Sequence, residues 1–320
     1  MLRKVDQTIW SGRTDHLINR ASFRYHQIIE FGDLPQEDAS TATCALIGFE
    51  CEEGVHRNKG RLGAASAPDA LRGELAKLPW RMDEEKRVID LGNLQCQGNQ
   101  LEEAQRDLGD VVAEVLSTGA VPIILGGGHE TAYGHYLGVR KFIGNTATLG
   151  IINIDAHFDM RSYDEQPSSG TMFRQILEQD PKSDYFVLGI QRFGNTQELF
   201  DKADELGATY LYEEELTERS MKESVQAIEA FMAKHDYIML TLCTDVLNAA
   251  FAPGVSAPSP FGLDPSIVRT IIRTVTSKEN ALSFDISEVN PAVDENGRTV
   301  KLGAYLANEA ITTFLGGNKK

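Results

Sequence analysis

The chain has 320 residues, of which 42% are hydrophobic and 24% are charged, as is typical of a globular protein with a large core. Its formal charge of −16 argues against nucleic acid or an anionic membrane as a partner. The sequence contains no apolar run of about 18 residues or more, and no apolar stretch typical of a secretory leader, so we expect a cytoplasmic protein.

Eight short apolar segments predict buried β-strands. Each is rich in β-branched, leucine or aromatic residues and lacks polar alternation, as expected of strands that are covered on both faces. In chain order they are residues 43–49, 87–92, 121–127, 149–155, 185–190, 208–212, 237–242 and 281–286.

Helical patterns lie between several of these segments. Residues 101–117 place one apolar stripe along a helix, which consists of Leu101, Ala104, Leu108, Val111 and Val115. Asp264 and Pro265 open another helix with an N-cap and a first-turn proline. Alternating strands and helices predict a mostly parallel sheet with helices on both faces, and ligands of such folds bind at the carboxyl edge of the sheet.

Polar side chains follow four of the predicted strands. These residues are His129 in GGGHE, the triplet Asp155, His157 and Asp159 in NIDAHFD, Cys243 with Asp245, and Asp285 with Glu288. Taken alone, His129 could be a turn residue and the triplet could belong to a solvated loop. The four sites together favour a metal centre, because carboxylates and imidazoles buried side by side are costly unless a cation lies between them.

The ligand chemistry indicates which metal. Two imidazoles and three carboxylates form an oxygen-rich set, which suits Mn²⁺ better than structural zinc. They exceed the needs of one ion, so we expect two ions that share a carboxylate and activate water. The four cysteines form no CxxC pair and do not indicate a disulfide framework.

Three segments resemble the motifs of the ureohydrolase (arginase–agmatinase) family. GGGHE, DAHFD and CTDVLNAAFAPG match the family's GGDHS, its DAH-containing motif and its aspartate-rich motif ending in APG, in the same order over about residues 40–316. The resemblance implies a three-layer α/β/α fold with an about eight-stranded, mainly parallel sheet. It also implies two Mn²⁺ ions and hydrolysis of a C–N bond in a guanidino or amidino group. We expect a single domain over residues 1–320, with residues 1–40 an N-terminal extension packed on it.

The resemblance assigns metal ligands by position. One ion would be held by His129, Asp155 and Asp159, and the other by Asp155, His157 and Asp245. Cys243 stands where the family has a bridging aspartate. It is then either a thiolate ligand or a buried, inert cysteine.

Further departures from the family pattern concern the ligands' neighbours and the proton donor. Gly128 replaces an aspartate, so a side chain that supports the ligands is missing or replaced, and Asn248-Ala249 replaces a DP pair. Phe173 stands at the place of a histidine that arginases carry. The proton for the leaving amine would then come from Asp159 or from a water.

GVHRNKGRLGA and SSGTMFR resemble the formimidoylglutamase branch of the family. N-formimidoyl-L-glutamate carries an amidinium at one end, which Glu288 would bind, and two carboxylates at the other. Guanidinium groups match carboxylates bidentately, so the sequence offers several side chains for this tail. The candidates are Arg57, Asn58, Arg61, Arg161 and Arg174.

The leading hypothesis is therefore a hydrolase that converts N-formimidoyl-L-glutamate to L-glutamate and formamide in histidine degradation. One alternative is a hydrolase of another guanidino or amidino acid, similar to arginase, agmatinase or guanidinobutyrase. A second alternative is a non-catalytic relative that binds metal. We expect a small-molecule substrate, no nucleic-acid or membrane partner, and a homo-oligomer.

Overall fold

The computed structural model describes residues 2–32 and 43–316, and its strands form one nine-stranded sheet with parallel pairings. The strands are Glu30–Phe31 (β1), Thr43–Glu50 (β2), Arg87–Gln95 (β3), Val121–Leu125 (β4), Leu149–Ile154 (β5), Ser183–Ile190 (β6), Thr209–Tyr212 (β7), Tyr237–Cys243 (β8) and Ala281–Ser287 (β9). The eight predicted strands are confirmed as β2–β9. The added strand β1 has two residues, which is too short to carry a pattern.

Helices cover both faces of this sheet. They are Glu53–Arg57 (α1), Ala67–Leu75 (α2), Leu101–Ser117 (α3), Thr131–Ile143 (α4), Met172–Gln179 (α5), Gln197–Glu205 (α6), Met221–Met232 (α7), Pro265–Thr276 (α8) and Arg298–Phe314 (α9). Buried residues of α2, α7, α8 and α9 join one apolar cluster, and those of α3–α6 join another. The predicted three-layer α/β/α architecture is confirmed. No helix in the described part of the chain is long and apolar enough to span a membrane.

The two apolar clusters follow from strand and helix periodicity. Leu149 and Ile151 of β5 belong to one cluster, whereas Ile152 and Ile154 belong to the other, because successive side chains of a strand point to opposite faces. Helix α3 buries the predicted stripe with one difference: Val112 is fully buried, and Val111 is only partly buried. The predicted start of α8 is also present, since the Asp264 carboxylate accepts a hydrogen bond from the amide of Ser266 (2.7 Å).

The order of the strands determines where the ligand-bearing loops meet. Across the sheet the order is β1-β3-β2-β4-β9-β8-β5-β6-β7. The four strands that precede the candidate metal ligands and Glu288, namely β4, β9, β8 and β5, are therefore consecutive neighbours in the middle of the sheet. Because they are parallel, their carboxyl ends lie side by side, and the loops that follow them converge.

The N-terminal segment packs against this framework. The buried Trp10 indole N–H donates to Asp90 Oδ2 (2.8 Å), and the hydroxyl of buried Tyr25 donates to Asn308 Oδ1 (2.8 Å). Strand β1 pairs with β3 at the edge of the sheet. The boundary expected near residue 40 lies outside the described residues.

Candidate metal centre

The turn after β5 brings the Asp155, His157 and Asp159 side chains together without an extended backbone. Strand β5 ends at Ile154, and Asp159 has a left-handed backbone with φ of 51°. The amide of His157 donates to Asp155 Oδ1 (2.8 Å), which closes the turn. The three side chains thus converge through a tight turn and not through alternation along an extended strand.

The carboxylate of Asp155 lies between two imidazole rings. Nδ1 of His129 is 3.1 Å from Asp155 Oδ2 and 2.8 Å from Asp159 Oδ2. Nδ1 of His157 is 3.6 Å from Asp155 Oδ1 and 3.1 Å from Asp245 Oδ2. The structure therefore brings together all five imidazole and carboxylate ligands that the sequence suggested, with Asp155 at their centre.

These side chains can hold metal ions as two groups that share Asp155. The first ligand group is His129, Asp155 and Cys243, and the second is Asp155, His157 and Asp245; within each group the ligand atoms lie within 4.8 Å of one another. Oδ1 of Asp245 is buried and accepts no hydrogen bond from residues 2–32 or 43–316. A buried carboxylate oxygen without a donor is costly, and a cation in this position would remove the cost. The residues present therefore fit divalent metal ions.

The pKa shifts in this cluster show how strongly it favours positive charge. Burial lowers the pKa of His129 and of His157. The hydrogen bonds and charges of their aspartate partners together outweigh burial and raise both pKa values well above the ordinary value. Burial and the charge of Asp155 raise the pKa of Asp159 to about 6. Protons on the two imidazole rings thus compensate the charge of the carboxylates. Metal ligands bind in their deprotonated form, so bound metal ions would supply this positive charge instead.

A buried chain of hydrogen bonds fixes the ring of His129 from behind. Its Nε2 is 3.1 Å from Thr241 Oγ1, and the Thr241 hydroxyl donates to Asp285 Oδ1 (2.9 Å). The other carboxylate oxygen of Asp285 is 2.7 Å from Nδ1 of His135, and all four side chains are buried. This chain directs Nδ1 of His129 toward the carboxylates, which is the usual way in which neighbouring groups orient a metal ligand.

Sequence reasoning assigned no role to Thr241 or His135. Thr241 lies two positions before Cys243, on the same face of β8, and that spacing could have pointed to it. His135 lies within α4 and carries no signal in the sequence, because its pairing with Asp285 depends on how α4 packs on β9.

Cys243 and Glu288 complete the inner surface of the site. Cys243 is 2% exposed, and burial together with the neighbouring carboxylates raises the pKa of its thiol well above the ordinary value. Glu288 has a φ of 67°, and its Oε1 accepts a hydrogen bond from the amide of His129 (3.0 Å). Burial, and then the charge of Asp245, raises the pKa of Glu288 to about 8. Glu288 is thus a buried carboxyl that a bound cation would stabilise in its ionised form.

A cavity of about 290 Å³ opens onto these groups. Its inner wall includes both imidazoles, Asp159, Asp245, Cys243 and Glu288, and the outer wall includes Asn58, Lys59, Gly60, Arg161 and Ser169. Gly170 lies against both Arg161 and Asn58, since a Cβ built there would be 3.0 Å from Arg161 Cδ and 3.1 Å from the Asn58 amide. The structure therefore places Asn58 and Arg161 at the cavity as expected.

The other predicted arginines do not line this cavity. Arg57 pairs with Glu53 (2.9 Å) and Glu102 (2.6 Å). Arg61 donates to backbone carbonyls, including that of Ser256 (2.9 Å). These contacts tie loops together and leave neither guanidinium directed at a ligand.

Arg174 lies at the surface, and Lys59 takes its place as a cavity cation. The Arg174 guanidinium pairs with Glu178 (2.9 Å), one helical turn away. Lys59 was not singled out in the sequence, yet it lines the cavity and is exposed. In residues 2–32 and 43–316, neither Lys59 nor Arg161 forms an ion pair. Lys59 lies between Asn58 and Arg61, two residues that the sequence predicted to bind substrate, and this position could have pointed to it.

Phe173, at the place of the arginase histidine, does not reach the cavity. Its ring stacks on Tyr185 with centroids 4.3 Å apart and meets the edge of His129 at 5.7 Å. It supports the imidazole by packing and cannot donate a proton. Among the side chains that line the cavity, Asp159 remains a candidate for that step.

We expect Thr241→Val to weaken Mn²⁺ binding by about 10- to 100-fold, because the hydroxyl that orients His129 is lost while the shape is kept. Isothermal titration of the metal-free protein with Mn²⁺ measures the effect. Thr244→Val is the matched control: Thr244 is equally buried, but its hydroxyl donates to the carbonyl of Ser287 (2.9 Å). Equal losses in both variants would contradict the orienting role.

We expect Cys243→Asp to retain Mn²⁺ binding and Cys243→Ala to lose much of it, if the thiol is a ligand. An inert, buried cysteine predicts the opposite order, because alanine is a small apolar substitute and aspartate adds a buried charge. Cys44→Ala is the control, since Cys44 is fully buried at the amino end of β2. Metal content after dialysis distinguishes the two cases, and an alanine variant with wild-type content would exclude the ligand role.

Comparison with known proteins places the chain in a family. The model of the arginase family matches residues 42–312. The chain is 57% identical to a formimidoylglutamase from Lysinibacillus sphaericus, over 99% of both chains, and 51% identical to one from Geobacillus kaustophilus, over 98% of both.

Solved structures show the same fold. A Bacillus subtilis formimidoylglutamase aligns with a TM-score of 0.84 and 22% identity, over 94% of this chain and 95% of that one. A variant of the Trypanosoma cruzi formiminoglutamase with Mn²⁺ aligns with a TM-score of 0.77 and 25% identity, over 88% and 95%. With its fold, its ligand clusters and these matches in agreement, the chain belongs to the arginase family.

Proposed function

We propose that the protein is a formimidoylglutamase, which hydrolyses N-formimidoyl-L-glutamate to L-glutamate and formamide in histidine degradation. The observation that carries the proposal is the polarity of one cavity: a buried carboxyl, Glu288, lies at its inner end, and Lys59 and Arg161, which form no ion pair with the described residues, lie at its outer wall. This arrangement is complementary to an amidinium joined to a dicarboxylate. The full-length identity to proteins named formimidoylglutamase supports the same substrate.

We infer that the site holds two Mn²⁺ ions. His129, Asp155 and Asp159 would hold one ion, and Asp155, His157 and Asp245 the other, with the Cys243 sulfur as a further ligand. Two such ions, when bound, lower the pKa of a shared water and so supply a hydroxide nucleophile near neutral pH. The Mn²⁺ in the Trypanosoma cruzi structure and the oxygen-rich ligand set support this choice of metal.

The chain's own residues orient the substrate and move a proton. Glu288 binds the amidinium, which keeps its carboxyl ionised and directs the formimino carbon toward the two ligand groups. Water oxygen adds to that carbon, and the bond from the carbon to the glutamate nitrogen breaks. The Asp159 carboxylate, which lies in the cavity, takes the proton that the added water oxygen loses and donates it to the departing amine. The products are formamide and glutamate, so the atoms of substrate and water are all accounted for.

The substrate's two carboxylates lie at the outer wall. Arg161 and Lys59 compensate their charge, and Asn58 can donate from its amide. Arginine and agmatine lack a second carboxylate, so their tails leave one or both cations without a partner. The cavity wall therefore discriminates among family substrates by charge.

We also propose that residues 1–320 act as one domain. The bonds from Trp10 to Asp90 and from Tyr25 to Asn308 join the N-terminal segment to the main core and support this proposal.

We expect turnover of formimidoylglutamate to exceed that of arginine, agmatine and guanidinobutyrate by more than about 100-fold in kcat/KM at fixed Mn²⁺. The measurement is a panel of the four substrates, with the metal content of the same sample determined in parallel. A preference for any of the other three would refute the assigned substrate. A content near one Mn²⁺ per chain at full activity would refute the two-ion site.

We expect Arg161→Ala to raise KM for formimidoylglutamate more than about tenfold and to change kcat by less than about threefold. The reason is that Arg161 contacts a tail whose charge is unchanged during the reaction, so ground state and transition state lose equally. Arg174→Ala is the control, because that guanidinium is paired with Glu178 outside the cavity. An unchanged KM in the Arg161 variant would remove this residue from the tail site.

A further inference from the structure

Glu130 is a buried carboxyl beside the metal centre that the proposed mechanism does not use. It directly follows His129 and is fully buried. Its Oε1 accepts hydrogen bonds from the amide of Gly54 (2.9 Å) and the thiol of Cys51 (3.4 Å), and its Oε2 is buried without a donor among the described residues. Burying a carboxyl with so little compensation costs folding free energy, so its presence calls for a reason other than stability.

The space around Gly128 indicates what Glu130 replaces. In the family motif that the sequence resembles, aspartate stands at position 128 and serine at position 130. Here a Cβ built on Gly128 would lie 2.1 Å from Oε2 of Glu130 and 2.3 Å from Val55 Cγ2. The Glu130 carboxyl therefore fills the space that a side chain at 128 would enter. The carboxyl has moved two positions along the sequence but stays in the same region of the structure.

The bond from Gly54 to Glu130 connects the metal-ligand loop with the outer wall of the cavity. The carbonyl of Gly54 accepts hydrogen bonds from the amides of Asn58 (2.9 Å) and Ser169 (3.1 Å). Asn58 and Ser169 both line the cavity. A single residue, Gly54, thus joins the residue after a metal ligand to two residues of the substrate wall.

Helix α1 depends on such bonds for its position. It has five residues, too few to be stable alone, and it has no side-chain cap at its N-terminus. The Glu130 carboxyl is one acceptor for its orphan amides. Residues 58–60, which follow α1, line the cavity.

We propose that Glu130 is a positioning residue for the substrate's tail, which it serves by holding α1 and residues 58–60 against the metal-ligand loop. The inference rests on the proposed function, because the tail is that of formimidoylglutamate. Glu130 does not line the cavity and acts through Gly54 and Asn58. It specifies the distance between the end that binds the amidinium and the end that binds the carboxylates.

The test compares steady-state kinetics of five proteins, namely wild type, three variants at positions 128 and 130, and one control variant, at saturating Mn²⁺. We expect Glu130→Ser to raise KM for formimidoylglutamate at least about tenfold with kcat within about threefold of wild type. The exchange variant Gly128→Asp/Glu130→Ser returns a carboxyl to the same space, and Glu130→Gln keeps an oxygen acceptor for Gly54; both should hold KM within about threefold. If Glu130→Ser does not fold, these two variants decide the proposal, and a tenfold rise of KM in both overturns it.

Gln105→Met is the matched control for general damage to the core. Gln105 is also buried and donates to the backbone carbonyl of Glu130 (2.9 Å), but has no bond to α1. An unchanged KM in Glu130→Ser, or an equal rise of KM in Gln105→Met, overturns the positioning role.

A second measurement is independent of the substrate. Hydrogen–deuterium exchange of the Mn²⁺-loaded protein should show faster exchange at the Gly54 amide in Glu130→Ser and a wild-type rate in Glu130→Gln. If wild type does not turn over formimidoylglutamate, the proposed function fails, and the exchange rate of Gly54 still decides whether Glu130 holds α1. An unchanged rate overturns the inference by itself.

Discussion

The constraint on which the structure depends is the repulsion among buried carboxylates at the carboxyl edge of the sheet. Asp155, Asp159, Asp245 and Glu288 converge there with little solvent. Burial and the charge of Asp155 raise the pKa of Asp159, and burial and the charge of Asp245 raise the pKa of Glu288. Only positive charge at the centre makes the arrangement tolerable. The cluster is therefore a cation site by electrostatics, before any comparison with relatives is made, and the left-handed backbone at Asp159 and Glu288 is the local strain that this convergence requires.

The parallel sheet supports this site because each central strand stabilises the fold along its interior and carries functional groups only at its end. The strand interior is apolar and buried on both faces, and the functional groups begin where the strand ends. An exception is the polar chain from His129 through Thr241 and Asp285 to His135, which lies inside the sheet and α4. Its members satisfy one another, so it fixes the imidazole at a modest energetic cost.

The sequence predicted the eight longer strands and grouped five metal ligands. It could do so because an apolar segment that ends in NIDAHFD has few physical explanations other than a buried strand that leads into a metal site. Strand order was not predictable, since the pairing of β9 with β4 depends on contacts between residues more than a hundred positions apart. The arginines show a different limit. Arg57 pairs with Glu102 and Arg174 pairs with Glu178, because a guanidinium pairs with whichever carboxylate the fold brings near, and that choice is decided by tertiary structure.

In the proposed function, recognition at the two ends of the cavity follows different physics. At the inner end, Glu288 has already been desolvated during folding, so an amidinium that arrives there gains a strong interaction in a region of low dielectric. At the outer wall, Lys59 and Arg161 are exposed and hydrated, so solvent screens the charge of each. Selectivity for a dicarboxylate therefore needs both cations at a fixed separation from the inner end. That separation depends on how α1 and residues 58–60 are held against the metal-ligand loop rather than on either cation itself. A buried carboxyl outside the cavity can therefore matter to the choice of substrate.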